Sequence, residues 1–152
     1  MTTQPKFITS PSYDSLHQAA LTICREARTM DWIDAVVAPV RGGLLFGVVA
    51  SHKLNVPLYA VSYSSKSGAG DDKNHANELY ELPPTVKVIL LVDDIADSGL
   101  TMQEIRKFYT DRGVKVITAV FHWKMNAQYK PDLYYWSIPH DSEFIQFPYE
   151  NT

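Results

Sequence analysis

Apolar and polar positions divide this chain into alternating helical and extended stretches. From Ser12 to Met30, apolar residues fall at Leu16, Ala20, Ile23, Ala27 and Met30, in steps of four, three, four and three. That spacing is one face of an amphipathic helix. Ile33 to Val40 (I-D-A-V-V-A-P-V) predicts a short apolar strand running into the turn Arg41-Gly42-Gly43. Leu44 to Leu54 has the length and composition of a buried helix, and Val56 to Ser62 reads as a second strand. Lys87 to Val92 and Val114 to Phe121 predict further strands. Between them Met102, Ile105, Phe108 and Tyr109 mark a helix ending at Arg112-Gly113, with glycine where a helix C-terminus favours it. Leu133 to Ile138 is another strand, followed by an aromatic tail.

The strands are continuously apolar rather than alternating, as in sheets covered on both faces. Strand and helix alternate through the middle of the chain, which predicts an α/β fold: one domain over residues 1–152, with a central, mainly parallel sheet flanked by helices. In such sheets ligands gather at the carboxyl edges of the strands. The turns after Val40 and after Val92 both lie at such edges. Between them, Ser64 to Glu78 (S-S-K-S-G-A-G-D-D-K-N-H-A-N-E) is polar and aperiodic. A loop of that length inside a compact domain is commonly a lid or a disordered segment; a lid is predicted here over about residues 64–80.

Composition narrows the picture without changing it. The 152 residues suffice for one core without disulfide or metal staples. A net charge of −3 marks no general affinity for nucleic acid, so phosphate chemistry must come from a local site. The one cysteine, Cys24, excludes an intramolecular disulfide and reads as a small buried side chain. The N-terminus lacks the apolar core of a signal peptide and no apolar run approaches a membrane span, so a cytoplasmic protein is expected. His17, His52, His75, His122 and His140 are scattered without zinc spacing.

The chemistry concentrates in Val88 to Met102, V-I-L-L-V-D-D-I-A-D-S-G-L-T-M, where a buried strand runs into three aspartates and a glycine turn. Adjacent carboxylates in an extended segment point to opposite sides. Asp93 and Asp94 can accept hydrogen bonds from the vicinal hydroxyls of a sugar, or hold a divalent cation directly or through water. Asp97-Ser98-Gly99-Leu100-Thr101 then leads into a helix whose N–H groups, dipole and two hydroxyls can cradle a phosphate. Taken singly, these residues are ordinary turn formers, and Thr101-Met102-Gln103-Glu104 matches a capping box. Together, after a buried strand, they suit a ribose 5-phosphate.

Val88 to Thr101 resembles the phosphoribosyl diphosphate (PRPP) motif of type I phosphoribosyltransferases, in which apolar residues, two acids and two further positions precede Asp/Ala-Ser/Thr-Gly-x-Thr. The resemblance implies that Asp93 and Asp94 bind the ribose and Mg²⁺. It implies that Ala96, Asp97, Ser98, Gly99, Leu100 and Thr101 hold the 5′-phosphate, and that Asp97 accepts the proton of the incoming base. Arg41, Gly42 and Gly43 match the family's pyrophosphate loop, where glycines allow close backbone approach and arginine supplies charge. The polar segment stands where these enzymes carry a mobile loop, with Tyr63 and Lys66 as its candidate contacts; Asp71-Asp72 reads as a solvated turn.

The last quarter, about residues 122–152, resembles the small C-terminal hood of the xanthine-guanine and hypoxanthine branch. There Lys124 corresponds to a lysine that contacts the exocyclic oxygen of a 6-oxopurine, Phe144 to an aromatic residue stacked on the base, Ile145 to its neighbour, and Glu150 to the acid of a terminal Pro-aromatic-acid triplet. Phe144 stands where tryptophan is commoner, and Glu150 where aspartate is. The resemblance thus implies a Mg²⁺-dependent enzyme that turns PRPP and a purine base into a nucleoside monophosphate and pyrophosphate, as a homodimer or homotetramer, with no nucleic-acid or membrane partner. Two alternatives stay open: the same transfer to a pyrimidine, orotate or adenine, and a non-catalytic regulator that senses PRPP or nucleotide.

Overall fold

The computed structural model describes residues 7–63, 78–139 and 143–150. The segment 64–77, with Lys66, Asp71 and Asp72, lies outside the described residues, as do His140, Asp141, Ser142 and the last two positions. Seven strands and three helices follow in order: β1 (Phe7–Thr9), α1 (Tyr13–Met30), β2 (Ala35–Pro39), α2 (Leu44–Leu54), β3 (Leu58–Val61), β4 (Val88–Ala96), α3 (Leu100–Thr110), β5 (Lys115–Lys124), β6 (Leu133–Ile138) and β7 (Glu143–Ile145). A short 3₁₀ turn, Pro148–Glu150, ends the tail.

The central sheet has the order β3-β2-β4-β5-β6, and every pairing is parallel. One face packs on α1 and α2 through Leu16, Ile23, Phe46, Leu90, Val92 and Phe121. The other packs on α3 through Ile89, Leu91, Ile105, Tyr109 and Val120. Each such side chain contributes about 1.5–3 kcal/mol by leaving water, which is why the predicted strands had to be apolar on both sides. Cys24 is buried between α1 and the sheet, where desolvation pushes its thiol up to about 11, as expected of an inert core residue.

Local chemistry sets the helix ends. Ser12 caps α1 by accepting the Ser15 N–H at 3.0 Å. Asn55 closes α2 in the left-handed region (φ 56°), and Gly113 (φ 80°) follows the end of α3 as anticipated. Three features differ from the sequence expectation. β4 runs on through Asp93 and Asp94 to Ala96, because β5 continues alongside it and pairs Asp93 with Val120 and Ala96 with Trp123. α3 begins at Leu100, two positions before Met102, where the apolar spacing starts. The tail also forms β7, which pairs in parallel with β1 in a separate two-stranded sheet; strands of three residues carry no periodic signal.

β5 and β6 are parallel neighbours joined without a helix. The linking segment is pinned by Thr118, fully buried, whose N–H donates to Asp132 Oδ2 at 2.9 Å while its hydroxyl accepts the Asp132 N–H at 2.9 Å. The same hydroxyl lies 2.9 Å from the Tyr129 phenol. These bonds hold residues 125–132 against the end of β4, next to the glycine turn.

Candidate active site

β2, β4 and β5 end together, and their last residues bring separate stretches of sequence to one place. Asp93 and Asp94 are both half-buried at the end of β4. The Asp94 N–H donates to Asp93 Oδ1 at 2.8 Å, tying the first acid to the main chain of the second. Burial, followed by repulsion from Asp94, raises Asp93 well above the usual carboxylate range. Burial also raises Asp94, against the opposing effect of hydrogen bonds from Asp93 and Tyr149. Two acids held this way suit a ligand that brings hydroxyl donors or positive charge.

Among the described residues no cluster of three or more His, Cys, Asp or Glu could cage a metal by itself. A carboxylate pair does fit Mg²⁺, which takes one or two protein carboxylates and fills its shell with water and substrate oxygens. Asp93 and Asp94 are the residues that would hold it.

The turn after β4 is shaped by Gly99. Its φ of 80° is strained for any side chain, and an added Cβ would come within 2.7 Å of the Tyr129 carbonyl oxygen. Gly99 is the N-cap of α3, so the capping box at Thr101 does not form; Thr101 lies inside the first turn, and Glu104 accepts instead from the Tyr63 hydroxyl. Ser98 Oγ accepts the Leu100 N–H at 3.2 Å, and the Ser98 carbonyl accepts the Gln128 N–H at 2.9 Å. A helix start without an N-cap side chain leaves its dipole open to an anion. Ala96 is buried and Leu100 half-buried, so only their main chains are suited to such a ligand.

The turn after β2 meets this site at Asp94. A Cβ at Gly42 would fall 2.5 Å from Asp94 Oδ2, and one at Gly43 would fall 2.8 Å from the Val92 carbonyl oxygen. Glycine at both positions is therefore required by close approach. The Gly43 N–H already donates to the Pro39 carbonyl at 3.0 Å, so Gly43 packs the turn rather than offering its amide. Arg41 is exposed beside it and follows a cis peptide bond.

At the end of β5, Lys124 Nζ lies 2.9 Å from Asp97 Oδ1. The lysine side chain is 13% exposed and the aspartate 71%, so a nearly buried cation meets a carboxylate open to an incoming molecule. Both residues were anticipated individually, but not their pairing. The signal for it was available, since β4 and β5 are parallel neighbours, with Asp97 following the end of one and Lys124 ending the other.

The tail divides. Phe144 is 53% exposed on β7, free to meet a planar ligand. The Ile145 side chain is 6% exposed and belongs to the main core, so a contact with a base would come from its main chain. Glu150 Oε1 accepts the Phe147 N–H at 2.9 Å, closing its own turn, and its charge bears on Asp94. Sequence reasoning saw Tyr149 only as the aromatic residue of the Pro-aromatic-acid triplet and missed its contact, the hydroxyl donating to Asp94 Oδ2 at 3.1 Å. It also missed the stack behind it: Tyr149 on Phe147 (5.3 Å between centroids), Phe147 edge-on to His122 (5.4 Å), and His122 on Trp136 (4.6 Å). Alternating aromatics at Phe147 and Tyr149 were the only hint.

No helix of the described residues is long and apolar enough to cross a membrane. The base of the predicted lid is drawn together by an antiparallel bridge between Ser62 and Glu78.

Known proteins resemble this chain in sequence and fold. The chain is 26% identical to a xanthine-guanine phosphoribosyltransferase from Ruegeria sp. (strain TM1040), over 91% of this chain and 83% of that one. Its fold is similar to the xanthine-guanine-hypoxanthine phosphoribosyltransferase of Helicobacter pylori (TM-score 0.79, 22% identity, covering 94% of this chain and 93% of that one). It is also similar to a purine phosphoribosyltransferase from Pyrococcus horikoshii (TM-score 0.76, 20% identity, 95% of each chain). The phosphoribosyl transferase domain model matches residues 12–152, nearly the whole chain, so this protein belongs to the phosphoribosyltransferase family of enzymes.

Proposed function

We propose that the enzyme transfers the 5-phosphoribosyl group of PRPP to a 6-oxopurine, giving a nucleoside monophosphate and pyrophosphate. The observation that carries the choice of base is the Lys124–Asp97 pair at 2.9 Å. The edge of a 6-oxopurine presents an exocyclic oxygen, which accepts, beside a ring N–H, which donates. A lysine donor next to a carboxylate acceptor complements that edge. Adenine presents an amino group where the oxygen would be, and so sets donor against donor.

In this reading Asp93 and Asp94 bind the ribose hydroxyls. The Ser98–Thr101 turn and the start of α3 take the 5′-phosphate, and Arg41 with the Gly42-Gly43 turn holds the pyrophosphate. A ring nitrogen of the base forms the bond to the anomeric carbon as the bond to pyrophosphate oxygen breaks. Asp97 takes the ring proton that the base loses. The sugar passes through an oxocarbenium-like state, so the protein's work is positioning and charge stabilisation. When bound, Mg²⁺ supplies neutralisation of the pyrophosphate charge. Phe144 offers its exposed ring to the face of the base, and Glu150 contributes charge at the same end.

Pyrophosphate release measured with PRPP and Mg²⁺ against hypoxanthine, guanine, xanthine, adenine, uracil and orotate tests the proposal. Turnover with one or more 6-oxopurines alone is expected; preference for adenine or a pyrimidine would overturn it. Asp97→Asn should bind PRPP normally yet lose on the order of 10²–10⁴ in turnover, the usual contribution of a positioned base. Unchanged turnover would remove Asp97 from the chemistry.

A further inference from the structure

We propose that Tyr149 is a positioning residue for the sugar site: its phenol fixes the Asp94 carboxylate and so ties the acceptor-side tail to PRPP binding. The inference rests on the phosphoribosyltransferase reading above and adds a residue to it. One oxygen is the meeting point. Asp94 Oδ2 accepts the Tyr149 hydroxyl at 3.1 Å, and it lies where a Cβ on Gly42 would come within 2.5 Å. The pyrophosphate turn therefore closes on this oxygen from one side and the tail from another.

The phenol is held rigidly enough to orient its partner. Tyr149 is half-buried, and its ring lies nearly parallel to Phe147 (7° between planes, centroids 5.3 Å apart). Phe147 is buried against His122, and the Phe147 N–H is bound to Glu150 Oε1 at 2.9 Å. The tail thus reaches the sugar acid through an aromatic column rooted in β5 and β6. A carboxylate has about four acceptor positions; the phenol occupies one, and the glycine turn crowds the same oxygen. The carboxylate is thus restrained in rotation before the sugar arrives, with the phenol bound to Oδ2 and the Gly42 turn packed along the whole group, a Cβ there falling 3.0 Å from Oδ1 as well. Preorganisation of this kind raises affinity because the ligand need not order the group itself.

A second consequence follows from the position of Tyr149 in the base-binding tail. A base seated against Phe144 and Lys124 steadies the segment that carries the phenol, so base and PRPP should each tighten the other's binding. Such coupling is reciprocal by necessity.

The test compares wild type with Tyr149→Phe in steady-state kinetics, in PRPP·Mg²⁺ titrations with and without a base analogue, and in thermal melting. The PRPP KM is expected to rise on the order of tenfold with kcat within about twofold, as for a lost hydrogen bond to a charged acceptor. The effect of the base analogue on PRPP affinity should largely disappear. Phe147→Leu, which loosens the column but keeps the phenol, should give a smaller rise in the same constant. An unchanged or lowered PRPP KM in Tyr149→Phe would overturn the proposal, the second by making the phenol a competitor of the sugar. A fall in kcat and melting temperature at constant KM would also overturn it, by reducing Tyr149 to a structural role. Wild type that neither binds PRPP nor turns over any base would overturn the functional reading itself, a result distinct from all of these.

Discussion

The end of β4 and the C-terminal tail, proposed above to meet the two substrates, are built on opposite principles. At the end of β4, two half-buried acids stand side by side, Asp93 accepting the Asp94 N–H, and glycines at 42, 43 and 99 pack where a methyl group would collide with neighbouring atoms. In the tail, contacts are aromatic faces and one exposed ring, with slack around Phe144. Burying paired acids is unfavourable until a partner arrives, so the first region is a standing demand for one ligand chemistry: hydroxyls, phosphate and cation. Apolar stacking is tolerant of shape. The end of β4 is thus constrained and the tail adjustable.

Breaking the constrained region should have the largest effect. Gly99→Ala forces a side chain into φ 80° and against the Tyr129 carbonyl at 2.7 Å. Strain of about 1–3 kcal/mol is expected, and kcat/KM for PRPP should fall on the order of 10²-fold. Steady-state kinetics check this, and wild-type kinetics in the variant would refute the rigid-turn account.

The tail should respond to acid rather than to small changes in shape. Burial holds His122 down to about 4 from its ordinary 6.5, and its Nδ1 has no partner among the described residues. The unfolded chain therefore binds a proton that the folded chain refuses between these values. Stability is fully present above pH 6.5 and is lost as pH falls toward 4. The loss should be on the order of 2–3 kcal/mol. Denaturant unfolding of His122→Phe across this range should show a flatter profile than wild type.

The smallest expected effect sharpens the comparison most. Asp93 has a folded pKa raised above its unfolded value of 3.8, so its contribution to stability is present below that pH and is lost as pH rises through the folded value. Asp93→Asn should consequently be more stable than wild type at pH 7 by about 1 kcal/mol, with the difference vanishing in acid. It should also lose PRPP affinity. A variant both less stable and inactive would mean that the acid pair supports the fold rather than straining it.

These contrasts explain what was legible in the sequence. Asp93 to Thr101 is contiguous, so its chemistry could be read directly, as could the continuous apolar strands and the helix Leu44–Leu54. The extent of β4 could not, because its last residues are extended only through pairing with β5. Thr101 and Glu104 matched a capping box that a left-handed glycine displaced, moving the helix start to Leu100. The links that assemble the site, Lys124 to Asp97 and Tyr149 to Asp94, join residues far apart in the chain. Each residue type was visible, but only topology brings the partners together. Ile145 shows the converse: its place beside Phe144 suggested a ligand contact, while the alternation of β7 turns its side chain into the core.

The end of β4 is proposed as the site for a ribose carrying phosphate and pyrophosphate. The most direct test is calorimetric titration of PRPP into wild type and Asp94→Ala, with and without Mg²⁺. Saturable binding that strengthens with Mg²⁺ and is lost in the variant is predicted. Equal binding by the two proteins, or none by wild type, would contradict the account.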